Sequence, residues 1–364
     1  MIADKVRPRR IVLHFDLDAF YPSCEIRRDL SLAGKPLIVG ADPKQGHGRG
    51  VVTSCSYEAR KYGVRSGMPI SIAYKLCPPP TGIYVKPDFE LYGKTSDRVM
   101  QLLRKYGDSF EQTSIDEAFL DVSERCRNFE RAAELAKNLK NDLKQSEGLT
   151  TSVGIAPNKS VAKMASDIQK PDGLTVVTQE QLRSFLEPLP VEKISGVGKK
   201  TAQFLHEHGI QTIGQLRNVQ AKKLTDWFGK GGIWLWGIAN GIEETPVEER
   251  PLRKSISVEQ TFERDVQNKQ VVKEALEALI QEVHERLLGE GLLFRTIGIK
   301  IRFEGFQTFT REKTHTGYVD DPLVVNDYVK GLYREFEKDR RKIRLVGVRL
   351  SDLKPAKGKQ ATLA

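Results

Sequence analysis

Residues 110–122 read Phe110-Glu111-Gln112-Thr113-Ser114-Ile115-Asp116-Glu117-Ala118-Phe119-Leu120-Asp121-Val122. Two short stretches of strand character flank an acidic pair, so the segment predicts a hairpin with Asp116 and Glu117 at its turn. Far upstream, residues 11–16 (IVLHFD) form a short apolar run rich in β-branched residues, as expected of a buried strand, and lead into Asp16-Leu17-Asp18. A helix-compatible stretch follows (AFYPSCEIRRDL), then a strand over 36–40, a glycine-rich loop over 42–50, a strand over 51–55 and a short helix around 57–61. Residues 87–106 predict a helix with Leu91, Val99, Leu102 and Leu103 as its apolar positions. After the hairpin come a helix over 128–145, a strand over 149–156 and a helix opened by Pro157-Asn158 and running to about Gln169. The order strand–helix–strand–strand–helix–strand suggests a ferredoxin-like α+β core with insertions.

Around residue 188 the character changes. Pro188 and Pro190 precede Val191-Glu192-Lys193-Ile194-Ser195-Gly196-Val197-Gly198-Lys199-Lys200-Thr201-Ala202, and short helices follow to about 241. Residues 242–254 (IEETPVEERPLRK) are polar, charged and carry two prolines, so they read as a linker. In the last module an amphipathic helix spans 270–289, with Val272, Leu276, Leu279, Val283 and Leu287 on one side. Residues 296–303 alternate, Ile297, Ile299, Ile301 and Phe303 facing one way and Thr296, Gly298, Lys300 and Arg302 the other, which predicts a half-buried strand with a basic open face. A helix over 323–338 and a strand over 343–350 complete a small α/β sandwich.

The length of 364 residues suits two to four modules. No run approaches the roughly 18 apolar residues of a membrane span, and no secretory signal is visible, so residence in the cytoplasm is expected. Cys24, Cys55, Cys77 and Cys126 are too far apart for a zinc knuckle or a CxxC pair, leaving free thiols as the expectation. A net charge of +10 favours polyanions, chiefly nucleic acid or anionic lipid.

Asp16, Asp116 and Glu117 decide the chemistry. Acids facing one point repel unless a cation lies between them, and magnesium takes hard oxygen ligands from a few carboxylates plus phosphate. Two such ions can clamp the attacking and leaving oxygens of an in-line phosphoryl displacement. A strand-end Asp meeting a hairpin Asp-Glu at a sheet edge would supply that site. Asp-x-Asp after a strand also suits a helix N-cap, the role expected of Asp18, and Asp-Glu in a turn also suits a solvated turn. Spacing alone leaves both readings open.

Longer stretches carry a resemblance. Asp16-Leu17-Asp18-Ala19-Phe20-Tyr21, Tyr57-Glu58-Ala59-Arg60-Lys61-Tyr62-Gly63-Val64-Arg65-Ser66-Gly67-Met68 and Ser114-Ile115-Asp116-Glu117-Ala118-Phe119-Leu120-Asp121 resemble, in order, the first signature, the finger helix and the central signature of the Y family of translesion DNA polymerases, DinB or DNA polymerase IV type. Ser152 to Ala156 with Lys170-Pro171-Asp172-Gly173 resembles the family's last palm segment, Gly196-Val197-Gly198 its thumb motif, and Arg344-Leu345-Val346-Gly347-Val348-Arg349 the end of its little finger. The similarity covers nearly the whole chain.

The resemblance implies an α+β multidomain fold shaped as a right-hand polymerase: ferredoxin-like palm (1–20 and 86–187), small fingers (21–85), a helical helix-hairpin-helix thumb (188–242), a linker (243–254), an α/β little finger (255–353) and a basic tail (354–364). It implies template-directed addition of deoxynucleotides to a primer 3′ end, with low fidelity and past damaged bases. Asp16, Asp116 and Glu117, with the Leu17 backbone carbonyl, would hold two Mg2+ ions, and Glu117 would also be the active-site acid. Tyr21 takes the steric-gate position with Phe20 as its core neighbour, and Tyr57, Arg60 and Lys170 would reach the triphosphate. Tyr57 and Arg60, three apart, share a helix face, and a guanidinium suits phosphate. Small residues at Thr53, Ser54 and Cys55 would leave room above the nascent pair. Gly196 and Gly198 would let the backbone approach DNA phosphates, helped by Lys199 and Lys200, and Lys300, Arg302 and Arg344 would meet the duplex backbone.

The partners expected are primer–template DNA and a dNTP, with no membrane, the protein acting as a monomer. The tail Lys359-Gln360-Ala361-Thr362-Leu363-Ala364 resembles the start of a sliding-clamp motif but lacks its terminal aromatic pair. The competing readings are a nucleotide cyclase on a ferredoxin-like core and a non-catalytic DNA-binding homologue, the latter predicting damaged acids.

Overall fold

Val12, Leu13, Phe15 and Leu17 suit a pleated strand covered on both faces, and they lie in β1 (Val12–Leu17), the centre of a five-stranded sheet. The computed structural model describes residues 10–249 and 253–356, and the chain divides into two units, Met1–Arg250 and Pro251–Ala364.

In the first unit β1 pairs antiparallel with both β6 (Glu117–Asp121) and β7 (Thr151–Ala156). β5 (Ser109–Gln112) extends the sheet beyond β6, and β8 (Leu174–Val176) runs parallel to β7 at the other edge, giving the order β5-β6-β1-β7-β8. Two long helices, α4 (Phe89–Arg104) and α6 (Phe129–Glu147), make the crossovers. Without β8, this is the strand–helix–strand–strand–helix–strand core expected. Leu13, Phe15 and Leu17 pack with Val99, Leu103, Leu139 and Leu143 on the face of α4 and α6. Val12 packs on the opposite face with Phe119 and with Val161, Ala162 and Ala165 of α7 (Lys159–Ser166). Fully burying one such large side chain contributes roughly 1.5–3 kcal/mol, so the sheet is anchored from both sides. α7 stops at Ser166, short of the expected Gln169.

Between α1 (Phe20–Arg28) and α4 the chain makes an excursion. Its core is a three-stranded sheet, β3-β2-β4, of β2 (Leu37–Gly40), β3 (Val52–Cys55) and β4 (Ile83–Val85), with α2 (Tyr57–Lys61) and α3 (Ile70–Leu76). Arg28, which ends α1, bonds Asp88, which caps α4, at 2.9 Å, so the excursion starts and ends at one point. Short α5 (Ser123–Cys126) and α8 (Leu182–Leu186) precede a helical cluster of α9 (Lys199–Glu207), α10 (Ile213–Arg217), α11 (Ala221–Phe228) and α12 (Lys230–Ala239). Residues 243–249 form neither helix nor strand, yet they are held down. Glu243 accepts from Ser160 N at 2.7 Å, Val247 is buried, and Glu249 pairs with Arg104.

The second unit is an antiparallel sheet, β11-β10-β12-β9, covered on one side by α13 (Lys269–Gly289) and α14 (Pro322–Tyr333). Ile297, Ile299, Ile301 and Phe303 of β10 (Leu292–Phe303) face those helices as the alternation predicted, and Val272, Leu276, Leu279, Val283 and Leu287 of α13 share the same core. β12 (Ile343–Ser351) lies beside β10, and the two-residue β13 (Lys354–Pro355) pairs with the start of β10. β9 (Ser255–Val266) and β11 (Thr308–Val319) were not expected. β11 is an edge strand with hardly a buried residue, so it lacks the apolar period that reveals strands.

Candidate active site

The β1–β6 register sets Asp16 directly against Glu117, and Leu17 N–H donates to Asp116 O at 2.9 Å. The hairpin turn closes through Thr113 N–H to Glu117 O at 3.0 Å, and Ser114 Oγ donates to Asp116 Oδ1 at 2.6 Å. The three acids therefore meet at one end of the central strand pair, with the Leu17 backbone beside them.

Each outer acid has an ammonium partner. Asp16 Oδ2 lies 2.7 Å from Lys170 Nζ, which is also 2.8 Å from Asp167. Glu117 Oε2 lies 2.6 Å from Lys163 Nζ of α7. Beneath them His14 points along the same strand face as Asp16. Its Nδ1 is 2.8 Å from Ser166 Oγ, its Nε2 is 3.9 Å from Glu117 Oε2, and its ring lies 4.6 Å from that of Phe119. α7 can rest this low because of Gly154, where a Cβ would fall 1.9 Å from Ala162 O and 2.4 Å from Ser166 N.

Burial pushes the Asp16 carboxyl up to about 7, against the pull of the Lys170 ammonium. Burial also raises Asp116, opposed by the Ser114 bond. Glu117 goes the other way: burial works against its charge, but the contacts with His14 and Lys163 hold it well below the usual carboxylate range. Burial lowers His14, and Lys170, despite burial, is held above its ordinary value by Asp16 and Asp167. Desolvated carboxylates of this kind call for positive charge, and three hard-oxygen donors suit a divalent cation of the magnesium type. Among the described residues no three His, Cys, Asp or Glu side chains form a ready-made cation cage, because Asp16 turns to Lys170, Asp116 to Ser114 and Glu117 to Lys163.

Asp18 departs from expectation. The N-cap of α1 is Ala19, in the left-handed region at φ 43°, with no side-chain cap. The Asp18 carboxylate is buried and accepts from Ser152 Oγ at 2.7 Å, Asp172 N at 2.8 Å and Tyr57 Oη at 3.3 Å. It ties β1, β7 and α2 together, and three donors satisfy a buried acid better than one cap would.

Tyr21 is partly exposed and stacks on Tyr92 at 4.3 Å, while Phe20 is buried in the core. The Arg60 guanidinium lies 4.5 Å over the Tyr57 ring, confirming their shared face on α2. Cys55 does not face outward with Thr53: it is buried with Ala59, Val64 and Ile70, and its thiol points to Val64 O. All four cysteines are free.

Gly196 has φ +99°, and a Cβ there would press on Trp234. Gly198 is the N-cap of α9, so exposed Lys199 and Lys200 sit on its first turn among unsatisfied amides. On the second unit Lys300 pairs with Glu259, Arg302 donates to Thr308 at 2.8 Å, and Arg344 lies 3.9 Å from Asp265 and 4.4 Å over Phe306. The sequence-predicted basic face thus has acidic partners at Lys300 and Arg344, and a hydroxyl partner at Arg302. The clamp-like tail lies outside the described residues. Among these residues no helix is long and apolar enough to cross a membrane.

His14, Lys163 and Asp167 were absent from the residues singled out by sequence. The available signal was an ionisable His two residues before Asp16 in an otherwise apolar strand, hence on the same face.

The impB/mucB/samB family matches residues 15–167, its C-terminal domain residues 253–363 and the IMS family HHH motif residues 180–210. The chain is similar to DNA polymerase IV of Methanoculleus marisnigri, with 46% identity over 97% of both chains. It is 39% identical to DNA polymerase IV of Clostridioides difficile, covering 96% of this chain and 94% of the relative. Among solved structures it resembles a Y-family DNA polymerase chimera, with a TM-score of 0.86 and 31% identity over 95% of this chain and all of that one. It also resembles DinB from Sulfolobus solfataricus, with a TM-score of 0.65 and 31% identity over 94% of this chain and 98% of that one.

Proposed function

Because this chain belongs to the impB/mucB/samB family, that of the DinB-type Y-family DNA polymerases, we propose that its acidic strand end is where nucleotides are joined to a primer. The protein is a DNA-directed DNA polymerase of the translesion kind. The observation that carries the site assignment is the pairing of Asp16 with Glu117 beside Asp116.

In this reading Asp16, Asp116, Glu117 and the Leu17 carbonyl hold the metal. Family membership implies dependence on a divalent metal; that it is magnesium, as two ions, is our inference from hard-oxygen donors. Bound there, the metal would stabilise the charge of the reacting phosphate. The chain's own residues do the rest. Lys170, within reach of Asp16, can turn to a triphosphate, with Tyr57 and Arg60 on the neighbouring helix. Tyr21, backed by Tyr92, forms a flat wall that a 2′-hydroxyl would strike. The amide-rich start of α9 with Lys199 and Lys200 would hold a DNA phosphate, and Lys300, Arg302 and Arg344 would reach the backbone by leaving their present partners.

The five-stranded sheet is the palm, the excursion over β2–β4 the fingers, the α9–α12 cluster the thumb and the second unit the little finger. Primer–template DNA and a dNTP are the partners. Monomeric action in the cytoplasm belongs to the same proposal, as does a sliding clamp as partner through the segment that begins Gln360-Ala361-Thr362-Leu363. A cyclase accounts for neither the HHH motif nor the C-terminal domain, and a non-catalytic homologue does not account for three converging acids. Primer extension on intact and lesion-bearing templates, with dNTP and Mg2+, is the test. Extension of both by the wild-type chain, lost in Asp116→Ala while primer–template binding persists, is expected; extension undiminished in that variant would remove the assignment.

A further inference from the structure

Three residues, Glu304-Gly305-Phe306, carry the chain from β10 to β11, and Phe303 N–H closes the turn on Gln307 O at 2.9 Å. Gly305 and Phe306 are both left-handed, at φ 71° and φ 65°. Glycine takes that conformation freely, but a bulky side chain is strained in it. The Phe306 ring is also 65% exposed, so it adds little to the core beneath the sheet. Asparagine or glycine would suit the turn better and leave no apolar ring in water. A ring held at a strained, wet position points to a task outside the fold.

The surroundings anchor this ring and make its neighbourhood basic. The Arg344 guanidinium covers one face, 4.4 Å from the ring centre, and the exposure leaves the other face to solvent. Thr308 Oγ1 donates to Phe306 O at 3.3 Å and accepts from Arg302 Nε at 2.8 Å. Arg341 donates to Gln307 Oε1 at 2.5 Å, and its guanidinium lies 4.0 Å over Phe303. Three arginines therefore surround the turn. Asp265 faces Arg344 at 3.9 Å and Asp339 faces Arg341 at 2.5 Å, whereas Arg302 meets a hydroxyl. Glu304, the acid of the turn, accepts from Lys342 N at 3.2 Å. An open aromatic face in a basic surround suits a polyanion built of flat apolar units, which is the chemistry of a nucleic-acid strand.

We propose that Phe306 is a stacking platform for an unpaired base of the template strand. The base lies on the open face of the ring, Arg344 backs the other face, and Arg302 takes an adjoining phosphate. Within a duplex both faces of a base are covered by its neighbours, so a lone ring finds a free face only on a base outside the paired region. A template being copied always has such bases ahead of the primer end. Stacking uses the flat side of the Arg344 guanidinium and leaves its in-plane N–H groups free to bond. Arg344 can therefore leave Asp265 for the DNA backbone and still back the ring. Every base has a π face, so the platform reads no sequence. The inference rests on the reading above that the second unit meets DNA.

The test uses the full chain as wild type, Phe306→Asn, which keeps a residue at ease in the left-handed turn and removes the ring, and Phe306→Trp, which enlarges the ring. Two DNAs share one duplex, the first blunt and the second with a single-stranded template extension. Affinity for each is read by fluorescence anisotropy. Phe306→Asn is expected to cut the preference for the extended DNA about tenfold, and Phe306→Trp to keep it. With 5-iodouracil placed at successive template positions, irradiation of the wild type should crosslink Phe306 from within the extension, the site being located by mass spectrometry. Thermal melts should place Phe306→Asn within a few degrees of the wild type, because asparagine tolerates the turn.

An unchanged preference in Phe306→Asn, or an equal loss of affinity for both DNAs, overturns the proposal. So does a melt lowered well beyond a few degrees, which would make the ring a prop of the turn. Crosslinks that fall in the second unit but avoid Phe306 sink the platform alone. Crosslinks absent from all of residues 253–356, with the primer still extended, would instead sink the reading that this unit meets DNA, so the two failures are distinguishable.

Discussion

At the strand end of the five-stranded sheet the side chains of Asp16 and Glu117 are 14% and 23% exposed, and each faces a lysine. On the outer face of the four-stranded sheet Lys300 and Glu259 also face each other, at 33% and 35% exposure. Chemically these are the same lysine–carboxylate contact, but the setting separates them. The first lies at the end of a strand covered on both faces, where water is scarce and each carboxylate's proton affinity is displaced. The second lies on a sheet covered on one face only, where an ion pair contributes about 0–1 kcal/mol and is easily exchanged for another partner. Burial thus sorts one kind of contact into the proposed reaction site and a replaceable surface pair.

Four experiments press on that contrast. The largest effect is expected at the covered end: Asp116→Ala should reduce primer extension about a thousandfold or more while leaving binding of primer–template DNA intact. Joint loss of activity and folding would leave the acid with a structural role only. Next, Tyr21→Ala removes the wall stacked on Tyr92 and should raise the ribonucleotide to deoxynucleotide incorporation ratio by about 10- to 100-fold; an unchanged ratio would end the gate assignment.

The third effect is on stability in metal-free buffer. Native Asp16 keeps its proton up to about pH 7, whereas the unfolded chain releases it near about pH 4. The stability this proton contributes is complete below the lower value and lost as pH rises through the upper one. Asp16→Asn cannot ionise, so its melting temperature should gain on wild type by a few degrees between about pH 5 and about pH 8. Parallel curves would show that burial does not govern this acid. The smallest effect belongs to the open sheet. Lys300→Ala should lower the salt slope of DNA binding by about one and change extension only a few-fold. A loss rivalling that of Asp116→Ala would erase the distinction between the two regions.

The same contrast explains what could be read from the chain before folding. Alternation at Ile297, Ile299, Ile301 and Phe303 announced β10, because a sheet covered on one side writes its burial as a period of two. Strand β1 was readable as a short apolar run, but whether it meets the hairpin was left open until the β1–β6 register was seen. Motif resemblance supplied the roles proposed for Asp16, Asp116 and Glu117, which spacing left open. Other features were hidden for physical reasons. Asp18 looks like a helix cap because caps are local, whereas Ser152 and Asp172, which it meets, are distant in sequence. Lys163 looks like any helical lysine until Gly154 lowers its helix onto the sheet. Edge strand β11 buries too little to leave a pattern.

The closing of the β2–β4 excursion has a further implication. Arg28 and Asp88 stand at its two ends and bond each other, with Glu25 bridging Arg28 to Tyr92. A segment that departs and returns at one doorway, and touches the sheet again where Tyr57 donates to Asp18, can be exchanged where both ties are kept. Residues 29–87 form a cassette, and transplanting that cassette from a relative, with the Arg28–Asp88 pair retained, should change what is tolerated opposite the template while the host sheet stays intact.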